Sequence, residues 1–149
     1  MMYAQNPSKE SRPVQSDADG NLLVTAAEAT GLPVAPVNTA AITVTIANGA
    51  SLSNAIDLGV ARAGAIITPA AWTAASLTVL VSHDGVTYSS LYDDADTEFA
   101  IATANMATGR SRTLPLVTFL PYRYLKFRSG TAALAVNQGA ERVMYLVAN

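Results

Sequence analysis

The chain has 149 residues, 50% of them hydrophobic and 13% charged, with a net charge of −2 and no cysteine. The missing thiols exclude disulfides, thiolate catalysis and Cys-based metal sites, and the small charge excludes any global attraction to nucleic acid or an anionic membrane. The length suits one domain with a proper core, but dissolved monomers usually carry about 25% charged residues, so much of this surface is expected to lie against protein.

Residues 1–40 read as an extended N-terminal arm. Pro7, Pro13, Pro33 and Pro36 punctuate it, which disfavours helix and favours polyproline or β conformations. Asp19-Gly20 is a turn, Leu22 to Thr25 can add one strand, and Thr25 to Gly31 reads as a short helical turn closed by glycine. Lys9 and Arg12 face Glu10, Asp17, Asp19 and Glu28, so the arm carries the whole net charge. A polar terminus of this kind orders only where something holds it, and a neighbouring chain is the expected holder. MMYAQNPSKESRPVQSD lacks the apolar core of a signal peptide, and no apolar run is long enough to span a membrane.

Residues 41–149 read as a series of short strands. Ala41 to Ala47 alternates Ile42, Val44 and Ile46 with Thr43 and Thr45, the pattern of a strand buried on one face, and Asn48-Gly49 turns it. Ser51 to Leu58 alternates Leu52, Asn54, Ile56 and Leu58 with small or polar residues. Arg62 to Thr68 follows, then a bend at Pro69 to Thr73. Leu77 to Tyr92 carries the strongest local signal, two β-prone runs joined by Asp84-Gly85, which predicts a hairpin. After a polar corner at Asp93 to Asp96, strands are expected at Glu98 to Ala102, Arg112 to Leu116, Arg123 to Ser129 and Glu141 to Ala148. A loop or single helical turn is expected at Ala102 to Gly109, a turn at Pro121 and a loop at Gly130 to Gly139. Nine or ten strands with turn signals every 8–12 residues predict an all-β antiparallel β-sandwich or jelly roll.

Few residues invite chemistry. Asp93, Asp94, Asp96 and Glu98 cluster, but a calcium site wants six to eight oxygens in a defined loop, so they read as a solvated corner or one side of a subunit salt bridge. His83, the only histidine, sits at the hairpin tip with no nucleophile-elbow context around it. Arg110, Arg112, Arg123, Lys126 and Arg128 interleave with Tyr122, Tyr124 and Phe127, as on a nucleic-acid platform. Phosphate affinity, however, needs an uncompensated positive face, and residues 41–149 are neutral. Trp72 could stack on a sugar, yet it stands alone, which favours packing or an interface. No enzymatic activity, cofactor, metal or nucleic-acid partner is therefore expected. The candidate subunit-contact residues are Trp72, Asp93, Asp94, Asp96, Arg110, Arg112, Arg123 and Arg128.

The stretches SLSNAIDLG, PAAWTAASLTVLVSHDGVTYSSLYDD and RYLKFRSGTAALAVNQGAERVMYLV, in that order between about Gly49 and Ala148, resemble small bacteriophage virion proteins encoded among head genes. The resemblance covers about two thirds of the chain and leaves residues 1–40 unmatched. It implies a β-sandwich or jelly-roll cement (decoration) protein, made in the host cytoplasm, that clamps the major capsid protein on the outside of the head. Such a protein is expected to be a homo-oligomer, with its arm held by a neighbouring chain. The alternative is a host-surface or carbohydrate-binding module of a head or tail fibre.

Overall fold

The computed structural model describes residues 40–149; the expected arm, its turn, strand and helical turn lie outside them. Nine strands form among the described residues: β1 (Ala40–Ile46), β2 (Ile56–Asp57), β3 (Ala63–Ile67), β4 (Leu77–Ser82), β5 (Ser89–Ser90), β6 (Ala100–Ile101), β7 (Ser111–Thr113), β8 (Tyr124–Ser129) and β9 (Arg142–Ala148). A 3₁₀ turn (Thr103–Asn105) and a single helical turn, α1 (Leu116–Phe119), interrupt them.

The strands make two antiparallel sheets facing each other across one core, so the fold is an all-β sandwich. One sheet runs β1-β9-β3-β7. The other runs β2-β8-β4-β5, with β6 also pairing β4. The connectivity is regular: β1 pairs β9, β2 pairs β8, β3 pairs β7 and β4 pairs β5, as in one long folded-back hairpin. Winding that hairpin brings β9 against β3 and β8 against β4.

Period-2 alternation selects the core. Val44 and Ile46 on β1, Leu77, Val79 and Val81 on β4, Leu125 and Phe127 on β8, and Met144, Leu146 and Ala148 on β9 all point inward and are buried. Phe99 closes one end with its ring edge-on to buried Phe119, centroids 5.3 Å apart.

Two expectations need correction. The strand expected over Ser51 to Leu58 survives only as β2 and isolated bridges at Leu52 and Ser53, because Leu52 and Asn54 are exposed while Ile56 and Leu58 are buried. Asn54 instead turns back on β1, its Oδ1 accepting from the Thr45 N–H at 2.7 Å and its own N–H donating to the Thr45 carbonyl at 3.1 Å. The Leu77–Tyr92 hairpin exists, but β5 contributes only Ser89 and Ser90, opposite Val81 and Leu80. The main partner of β4 is β8, which pairs along its whole length from Leu77↔Ser129 to Ser82↔Tyr124.

Candidate functional site

The loop from β4 to β5 is built by two side chains. The Ser82 Oγ accepts the N–H groups of Asp84 and Gly85 at 3.3 and 3.0 Å and donates to Asp84 Oδ1 at 2.8 Å. The same Oδ1 accepts the N–H groups of Val86 and Thr87, both at 2.8 Å. The backbone donors of Thr87 and Val86, followed by the Ser82 hydroxyl, hold the Asp84 carboxyl well below the ordinary carboxylate range. Asp84 therefore serves its turn, as expected. Gly85 has φ +75°, and a Cβ there would meet the Tyr124 ring at 3.2 Å, so this loop lies on β8 and only glycine fits comfortably. Two residues beyond the tightest part, Tyr88 stacks under the Lys126 ammonium, 4.3 Å from its ring centroid. Burial first, then the nearby Asp84 charge, raises the Tyr88 pKa.

The outward face of β8 presents Tyr124, Lys126 and Arg128, and each is engaged within the chain. Arg123, just before the strand, forks onto Asp57, Nε to Oδ1 at 2.7 Å and Nη2 to Oδ2 at 2.8 Å. Arg128 is 9% exposed; it meets Glu98 Oε1 at 3.3 Å and the Ser90 Oγ at 2.8 Å. Glu98 in turn accepts the Ala132 N–H at 3.0 Å, which ties the β8–β9 loop to the sheet edge. Phe127 is fully buried. The interleaved basic and aromatic residues thus alternate between core and intrachain pairs and do not present one continuous stacking surface.

The Asp57–Arg123 pair yields a pH prediction. The Arg123 fork, then the Gly59 N–H at 2.8 Å, lowers the Asp57 pKa from 3.8 to about 2. A depressed folded pKa contributes stability above the unfolded value that is lost as pH falls from about 4 through about 2. Both side chains are about half exposed, 54% and 46%, so that contribution is small. An NMR titration of the Asp57 carboxyl is expected to show its midpoint near 2, moving back up in Arg123→Ala. A wild-type midpoint near the ordinary carboxylate value would contradict the geometry.

The remaining candidates are scattered. Asp93 is spent on its own corner, its Oδ1 accepting the Ala95 and Thr97 N–H groups at 3.0 and 2.8 Å, while Asp96 takes a left-handed φ of 58° and Asp94 is exposed. No three His, Asp or Glu side chains converge among the described residues. Arg110 is exposed, and Arg112 on β7 buries an Nε without a partner among the described residues. Trp72 packs against the core and donates its indole N–H to the Ala75 carbonyl at 2.9 Å. Of the eight, only Asp94, Asp96 and Arg110 are exposed with no intrachain side-chain bond among the described residues.

Two features lay outside the sequence reading. One is Gln138, fully buried in a stretch expected to be loop. The other is α1. Pro115, without an N–H to leave unsatisfied, caps it, and Phe119 drops into the core. Leu116, Val117 and Leu120 stay 46%, 80% and 45% exposed, flanked by exposed Pro115 and Pro121. Beside this apolar turn run two shallow clefts that share Leu91 and half-exposed Tyr92, one reaching Thr118 and Phe99, the other His83 and Tyr122. Among the described residues no hydrogen bond joins His83 to a hydroxyl, and the adjacent Ser82 Oγ is committed to the Asp84 turn. No protein-family model, curated protein or solved structure matches the chain.

Proposed function

We propose that this chain is a non-enzymatic structural protein of a bacteriophage virion, a cement protein that clamps neighbouring major capsid subunits on the outer surface of the head. The observation that carries the reading is the apolar turn at residues 115–121, where Leu116, Val117 and Leu120 stand exposed together within one turn, whereas other exposed hydrophobics among the described residues, such as Val60, Val86 and Leu134, stand apart in the sequence. Contiguous exposed apolar surface on a small protein is a mark of a protein partner. The sparse charge of the whole chain points the same way.

The wiring adds support. Sheet orders β1-β9-β3-β7 and β2-β8-β4-β5 support reading the sandwich as a long hairpin wound into a jelly roll, an architecture that viral capsid proteins share with lectins and cupins. Fold alone does not assign a function. Combined with the resemblance of residues 49–148 to phage head proteins, it favours the virion over the other hosts of that fold. Trp72 is the residue a sugar-binding module would need free, and it is partly buried against the core.

Copy number in purified virions, from gel densitometry, tests the proposal. Hundreds of copies per particle are expected. Six or twelve would move the protein to a tail, neck or fibre, and its absence from particles would remove it from the virion.

A further inference from the structure

Among the described residues the two sheets have four edges, and three of them are defended against pairing. Edge strands expose unpaired N–H and C=O groups, and proteins blunt them by shortness, charge, proline or irregularity. β2 has two residues and carries the Asp57–Arg123 pair. β5 and β6 have two residues each and adjoin the acidic corner. β7 has three residues, with Arg112 within it, Arg110 before it and Pro115 after it. β1 differs from all of these. It has seven residues, AAITVTI, with no charge and no proline, and it pairs β9 without a register break from Ala40↔Ala148 to Ile46↔Arg142.

The free part of that edge has a definite extent. Thr45 exchanges hydrogen bonds with Asn54, so its N–H and C=O point away from β9. Alternation then turns the N–H and C=O of Thr43 and Ala41 outward as well. The Asn54 amide reaches the Thr43 carbonyl only at 3.5 Å. Among the described residues no other group takes up the outward atoms of Ala41 and Thr43. Among the described residues, Asn54 closes the edge at one end and leaves a short unpaired stretch centred on Ile42.

That stretch is complementary to itself. We propose that β1 is the seam of a two-fold dimer, in which two copies of this chain pair antiparallel through Ala41 and Thr43 and join their four-stranded sheets into one. Ala41 of each copy exchanges both backbone hydrogen bonds with Thr43 of the other, which places Ile42 opposite Ile42 as a non-hydrogen-bonded pair with close Cα atoms. An uncharged strand meets its own copy without repulsion, and the part-buried Ile42 side chains meet across the seam. This surface lies at the opposite edge of its sheet from β7, the strand that leads into the apolar turn, so it is separate from the proposed capsid contact.

The full chain is expected to show a concentration-dependent dimer by sedimentation velocity, with the modest affinity of a small interface. Thr43→Pro removes only an N–H that points away from β9, and proline is tolerated on edge strands. It is expected to weaken the dimer by about tenfold or more while the circular dichroism spectrum and melting temperature stay near wild type. The natural chain has no cysteine, so Ile42→Cys under mild oxidation is expected to give a disulfide-linked dimer, and Thr113→Cys on β7 a monomer. A chain that stays monomeric at every concentration overturns the proposal. So does a dimer that Thr43→Pro leaves intact, or cross-linking of Thr113→Cys as efficient as that of Ile42→Cys. Because none of these readouts involves the particle, they separate the seam from the cement role.

Discussion

Replacing Gln138 with alanine is expected to cost about 3–4 kcal/mol and to lower the melting temperature by about 10–15 °C. Gln138 is fully buried and bonds through both ends of its amide. Its Oε1 accepts the Thr73 N–H at 2.8 Å and the Arg142 Nε–H at 3.2 Å, and its Nε2 donates to the Ser129 Oγ at 2.7 Å and to the Thr73 carbonyl at 3.3 Å. Its backbone closes a reciprocal pair with the β1–β2 turn, the Gly49 N–H to its carbonyl at 2.8 Å and its N–H to the Ala50 carbonyl at 2.9 Å. One side chain therefore joins the bend before β4, the end of β8 and the start of β9. Alanine leaves the half-buried Thr73 N–H and the fully buried Ser129 hydroxyl without these partners, each costing about 1–3 kcal/mol, and opens a cavity besides. Gln138→Glu separates hydrogen bonding from volume. Its carboxylate keeps the acceptor roles but faces the Thr73 carbonyl with an oxygen, so an intermediate loss is expected. Denaturant and thermal unfolding measure both variants. An alanine variant melting within about 3 °C of wild type would mean that water replaces the amide and the hub adds little.

Gln138 also marks where the sequence stops being legible. Strands β1 and β9 are readable because each has one buried face, and burial writes period-2 alternation into the local sequence; β4, buried on both faces, is readable from its β-prone residues and the Asp84-Gly85 turn. The partner of β4 is not readable, since β8 lies far downstream and backbone hydrogen bonds carry no side-chain signature. Ser82 and Asp84 were visible as turn residues. That their two oxygens between them collect four backbone N–H groups, widening the turn into a loop that lies on Tyr124, depends on tertiary packing. The site residues follow the same rule. Arg128 looked like a surface cation, but the alternation that buries Leu125 and Phe127 sets it on the outer sheet face. There Glu98 and Ser90, from segments well away in sequence, cover it. The acidic and basic segments were expected to seek each other across subunits; within one chain Arg123 pairs with Asp57, and of the acidic corner only Glu98 finds Arg128. In the other direction, Leu116, Val117 and Leu120 looked like strand end and turn. Apolarity is readable in a sequence, whereas its failure to find cover is a property of the fold.

Placing charge on that uncovered turn is the substitution expected to affect function most. Val117→Asp combined with Leu120→Asp should weaken binding to capsids lacking the protein by about 100-fold or more. The physical asymmetry is favourable for a clean test. Val117 is 80% exposed and Leu120 45% exposed, so carboxylates there remain hydrated in the free protein, and the melting temperature should stay within about 2 °C of wild type. In the proposed capsid contact the same carboxylates would be stripped of water against a protein surface, which is costly unless a cation awaits them. Phe119→Ala serves as the contrast, because that ring is fully buried against Phe99 and its loss destabilises the fold by about 3–5 kcal/mol before any contact is made. Salt discriminates between the two kinds of contact the surface could offer. A contact carried by the apolar turn should survive an increase to about 0.5 M salt, whereas one carried by Arg110, Asp94 and Asp96 should weaken as exposed charges are screened. If the double aspartate variant decorates heads as tightly as wild type, the turn is not the capsid contact. If binding also falls steeply with salt, those scattered charges become the better candidates, since of the eight candidate contact residues they are the exposed ones with no side-chain bond among the described residues.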